Sequence, residues 1–117
     1  MDKAKINTVI FAIIGAVATY YINHTMGYGA IIANGLVGVT GAVLLSGPLS
    51  VAVFVASFVG MSGAAVIPSI AWAAVGGCVC GFILAFTSEI YAGIGGKGGT
   101  TAALSVQITR AIVNLFI

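Results

Sequence analysis

Charge is nearly missing from this sequence. Asp2 and Glu89 are its acids and Lys3, Lys5, Lys97 and Arg110 its bases, so 5% of residues are charged, against roughly a quarter in soluble domains. Such scarcity excludes a water-soluble globule. It excludes nucleic-acid binding as well, because four dispersed bases cannot form the patch that replaces counterions around phosphates. Two distant acids make no carboxylate pair, the single histidine, His24, makes no metal cluster, and no nucleophile stands beside a base. No enzymatic activity, catalytic residue, cofactor or metal site is therefore expected. Proline occurs only at positions 48 and 68, so most breaks between elements must be read from glycine.

What is present is apolar: 61% of the chain is hydrophobic, enough to place nearly all of it in lipid or against another membrane protein. Residues 51–86 carry no charge and exceed one bilayer crossing of about 20 residues. Gly60-Met61-Ser62-Gly63 and Pro68 interrupt them. Lipid leaves only helices or closed barrels, and the runs lack the strict alternation of a barrel. The expected fold is all-α: one domain over 1–117, a polytopic integral membrane protein with four to five transmembrane helices, one or two of them broken or re-entrant.

The first segment, 6–22, also has the features of a secretory signal peptide, with Ala16-Val17-Ala18 as a cleavage-like site. It reads better as a first transmembrane helix flanked on the cytoplasmic side by 2–5, with Tyr20 and Tyr21 at headgroup level. Asn23, His24 and Thr25 read as a polar turn. Segment two, 28–45, concentrates Asn34, Gly35, Gly38 and Gly41, which suits close helix packing, with Asn34 as a candidate pathway residue. Segment three either continues from 49 to 67 as a kinked span or stops near Gly60, leaving Gly60, Ser62 and Gly63 to line a polar site. Segment four, 70–86, lies between Trp72 and Tyr91 and holds Gly77 and Gly81 at the spacing that favours helix pairing. Cys78 and Cys80 sit two apart on that helix, point to different sides, and read as small apolar filler.

The glycine-rich stretch 92–99 lacks the Ser or Thr that a phosphate-binding loop needs after Lys97. Thr100 and Thr101 read as caps of a last helix, 100–117, on which Thr100, Gln107, Arg110 and Asn114 share a face. An arginine within a span is costly, so this stripe either meets a polar interior, with Glu89 as a candidate partner of Arg110, or belongs to an interfacial helix whose Leu104, Ile108, Ile112 and Leu115 dip into the acyl region while Arg110 snorkels to the headgroups. Lys3 and Lys5 precede segment one and Lys97 precedes the last, which puts the N-terminus in the cytoplasm of an inner or plasma membrane after an even number of crossings.

These residues point to a small ion channel or carrier that moves an ion or solute through a homo-oligomeric assembly. The alternatives are an accessory subunit of a larger membrane complex and a holin-like protein. The lipid bilayer and either further copies or partner subunits are the expected contacts, and nucleic acid is not. Circular dichroism in detergent is expected to be dominated by helix, and a sheet-dominated spectrum would contradict the fold class.

Overall fold

The computed structural model describes residues 3–45, 47–63, 66–86 and 97–116. They form α1 (Lys3–Tyr20), a π-helical turn (Tyr21–Thr25) that prolongs it, α2 (Ala30–Leu44), α3 (Gly47–Gly60), α4 (Ile70–Phe86) and α5 (Lys97–Phe116). The described chain is all-helical, without a strand. Residues 23–25, expected as a turn, are helical: the Met26 amide reaches back to the Tyr21 carbonyl at 3.0 Å, a five-residue π step. The chain turns only afterwards, at Gly27 and Gly29, whose φ angles of 76° and 91° suit glycine.

The two readings of the third segment separate clearly. α3 stops at Gly60, and after fourteen residues it is about 21 Å long at 1.5 Å per residue. Beyond it the Val66 and Ile67 amides both close on the Gly63 carbonyl at 3.0 Å. Ser69 then starts α4 as its N-cap, accepting from the Trp72 amide at 3.4 Å. α5 begins at Lys97, three residues before the expected Thr100.

Close contacts fix the topology. Lys5 Nζ lies 4.7 Å from the centre of the Phe86 ring, Gly81 meets Val9, and Gly77 meets Ala12, Ile13 and Ala16, so α1 and α4 are antiparallel. Gly15 faces Val53 while Gly60 faces Ala16 and Tyr20, so α1 and α3 are parallel. Asn34 reaches Ser57 and Gly41 reaches Val53, so α2 runs against α3. Gly76 meets Thr109 and the Trp72 ring centre lies 6.3 Å from that of Phe116, so α5 runs against α4. The five helices thus alternate in direction. Lys3, Lys5 and the Lys97 end of α5 lie at one end of the bundle, and the π turn and the α3–α4 connection lie at the other.

Residue size, more than polarity, separates inside from outside. Ala12, Ala16, Ala33, Ala52, Ala56 and Ala73 are almost wholly buried, whereas Ile10, Ile31, Val43, Phe54, Phe82 and Leu115 are exposed. At the crossings the backbones touch: a Cβ on Gly60 would stand 2.5 Å from the Ala16 carbonyl oxygen, and one on Gly81 2.6 Å from the Val9 Cα. Among the described residues one helix, Lys5–Thr25 with its π extension, is long and apolar enough to cross a membrane, and the other apolar helices are shorter.

The glycines of the fold differ in what surrounds them. Gly38 and Gly41 meet the side chains of Phe54 and Val53, but no neighbouring helix among the described residues lies within 4 Å of a Cβ placed on Gly35, so that expected packing position faces outward in one copy. The same substitution should therefore have opposite signs. Gly77→Ala is expected to destabilise by about 1–3 kcal/mol through overpacking. Gly35→Ala should stabilise by about 1 kcal/mol through helix propensity. Unfolding midpoints in mild detergent measure both.

Candidate functional site

A helix that stops inside a bundle leaves its last carbonyls without amide partners and its negative dipole end uncompensated. Side chains from the end of α1 and its π turn answer this at Gly60. The Asn23 amide approaches the Gly60 and Met61 carbonyls at 3.4 and 3.5 Å, and His24 Nε2 lies 2.8 Å from the Ser62 carbonyl. A carbonyl only accepts, so Nε2 carries the proton. The Asn23 nitrogen, 3.2 Å from Nε2, then finds its acceptors in the carbonyls instead. Tyr20, 5% exposed, donates its hydroxyl to the Ile67 carbonyl at 2.6 Å, and its ring centre lies 4.4 Å from that of His24. Arg110 Nη1 donates to the Val66 carbonyl at 3.4 Å.

Tyr20, Asn23, His24 and Arg110 therefore clasp the connection between α3 and α4. Tyr20 is a buried hydrogen-bond donor here, not a headgroup anchor, and His24 is bonded to backbone although exposed. Residues 20, 23 and 24 share one helix face, which was visible in the chain. Their targets, 37 to 47 residues away, were not.

The residues expected to line a polar path are distributed differently within one copy. Asn34 donates to Ser57 Oγ, which donates in turn to the Phe54 carbonyl, so the amide ties α2 to α3. Gly60 is filled by α1 backbone. Ser62 is half-buried with its carbonyl bound, and Gly63 is exposed with open space where a Cβ would be. Gln107 and Asn114 are exposed and Arg110 is half-buried. Thr100 belongs to the first turn of α5. Glu89, the expected partner of Arg110, lies outside the described residues, as does the glycine-rich stretch 92–96.

The face of α5 that does turn inward carries Thr101, Ser105 and Thr109, all buried. Their hydroxyls bond back into the helix: Ser105 to the Thr101 carbonyl and Thr109 to the Ser105 carbonyl, both at 2.7 Å. Satisfied this way, hydroxyls behave as small packing groups, and the spacing of four in 101, 105, 109 was the available signal. Thr19 Oγ1 is the exception, a buried side-chain oxygen with no partner among the described residues. An open, mostly apolar groove of about 360 Å³ lies between α1, α2 and α3, walled by Phe11, Ile14, Leu36, Val37, Leu44 and Val53.

No known protein family, curated protein or solved structure matches the chain. The clasp and the orphan hydroxyl give a paired expectation for unfolding in detergent. Tyr20→Phe should cost about 1–3 kcal/mol by stranding the Ile67 carbonyl. Thr19→Val, which exchanges an unpartnered hydroxyl for a methyl of the same shape, should be neutral or stabilising by about 1 kcal/mol.

Proposed function

We propose that this chain is a polytopic membrane protein that assembles from several copies, and that a small ion or solute moves along the polar surface between them. The observation that carries the reading is the inverted packing, with alanine and glycine at the contacts among α1, α3 and α4 and isoleucine, leucine or phenylalanine exposed on each of the described helices. In water such a surface would drive aggregation. In lipid it is the expected arrangement, because apolar side chains gain nothing by leaving the acyl chains and small residues let helices approach. The alternating helix directions support the same orientation as the lysines, since Lys3, Lys5 and the start of α5 share one end, as cytoplasmic flanks do. The longest extent of the bundle, 33 Å, is comparable with a hydrocarbon core of about 30 Å.

A path between copies follows from the density of a single copy. Gly15, Gly60, Gly77 and Gly81 leave no room for a side chain at the helix crossings, and the buried hydroxyls of Ser105 and Thr109 are occupied. Among the described residues, Gln107 and Asn114 are exposed amides that can face a neighbour. A second reading, a structural subunit of a larger complex, is favoured by the lack of charge on those two residues, which a partner helix could bond as readily as a copy.

Membrane insertion predicts that the protein stays with the pellet on alkaline carbonate extraction. It further predicts that Lys3→Cys and Gly63→Cys label with an impermeant thiol reagent from opposite sides. Recovery in the soluble fraction, or labelling of both from one side, would contradict the reading. Purified protein in sealed vesicles should raise ion or solute flux, and flux equal to empty vesicles would favour the structural subunit.

A further inference from the structure

Among the outward faces of the bundle, that of α5 is unlike the others. Where α1 shows Ile6, Ile10 and Ile14 and α2 shows Ile31, Val39 and Val43, α5 sets two carboxamides among apolar residues. Leu104, Gln107, Ala111 and Asn114 are all exposed, and their steps of three, four and three residues draw one line along the helix. That spacing is the seam of a left-handed helix pair or bundle, where alternating positions meet their counterparts on the next helix. Thr101, Ser105, Thr109 and Val113 lie on the opposite side and are buried against the rest of the chain. Arg110 borders the seam but is turned to the Val66 carbonyl of its own copy.

Neither Gln107 nor Asn114 has a hydrogen-bond partner among the described residues. A hydroxyl can bond back to its own helix, but a carboxamide carries two donors and an acceptor that its helix leaves unmet. Facing lipid, it would be left without partners. Each carboxamide both donates and accepts, so it is complementary to itself. Ala111 between the two amides leaves room for a neighbouring helix to approach.

We infer that copies of this chain meet through α5, side by side in the same direction, with Leu104, Gln107, Ala111 and Asn114 facing the shared axis and the amides of each level bonding one another. The inference rests on the membrane reading above and names its interface. In an assembly of several copies it places two rings of amides, separated by alanine and preceded by a leucine ring, on the axis where a path would run.

The test uses the full chain in native membranes. Ala111→Cys and Leu104→Cys place thiols on the seam, while Val43→Cys and Ile10→Cys place them on other outward faces. Copper-phenanthroline oxidation should join seam thiols into homodimers on the order of tenfold faster than the control thiols, since only counterparts across a seam approach within disulfide reach. Equal rates at all four positions, or crosslinks to a different protein, would overturn the inference.

Gln107→Leu supplies a second measure that does not depend on a thiol. With helix content unchanged by circular dichroism, self-association in mild detergent should weaken on the order of fivefold to twentyfold, and Gln107→Asn should retain more of it. Association of Gln107→Leu equal to that of the parent chain would count against the amide contact and overturn the seam. Carbonate extraction of the same membranes separates the two levels. Protein in the soluble fraction removes the membrane reading and the seam with it, whereas protein in the pellet without seam crosslinks removes the seam alone.

Discussion

The structure depends on the approach of α1 to its two neighbours at backbone contact. α3 lies along one side through Gly15 and Gly60, and α4 along another through Gly77 and Gly81. A methyl group at any of the four would meet backbone atoms of a neighbouring helix closer than 3 Å. Dispersion grows with the number of atoms brought to contact distance, so small residues stabilise this arrangement where larger ones would hold the helices apart. α2 and α5 are added outside this group of three, on α3 and α4.

That tight centre has a consequence for polar chemistry. Backbones in contact leave little room for water, so each polar group inside must find its partner in the protein. The hydroxyls of Ser105 and Thr109 bond to their own helix, the Asn34 amide bonds Ser57, and the broken end of α3 is clasped by Tyr20, Asn23 and His24. The π turn belongs to the same solution. It prolongs α1 beyond Tyr20 just far enough to carry Asn23 and His24 over the carbonyls that α3 leaves open. Gln107 and Asn114 have no place in this scheme and are found outside, on α5.

Several elements were legible in the chain. Residues 70–86 were read with the bounds that α4 has, and 28–45 differ from α2 by two residues at the start and one at the end. The break after Gly60 was visible in Gly60-Met61-Ser62-Gly63. The start of α5 was not, because Gly98 and Gly99 argue against helix by propensity while packing against α4 can outweigh it. His24 was read as a loop residue because nothing local to it points to a carbonyl 38 positions further on.

By itself the sequence determined that the chain is helical, roughly where its helices lie, and that apolar surface would dominate its exterior, since these follow from local runs of apolar residues and the glycines and prolines between them. Only the tertiary structure decided which face of each helix turns inward. Reading α5 by polarity selects Thr100, Gln107, Arg110 and Asn114 as the inner stripe, yet Thr101, Ser105, Thr109 and Val113 are buried. The reason is physical: when both faces of a helix are largely apolar, polarity ceases to mark the interior. Side-chain size marks it instead, and whether a small residue is used depends on a neighbouring helix that the local sequence does not contain.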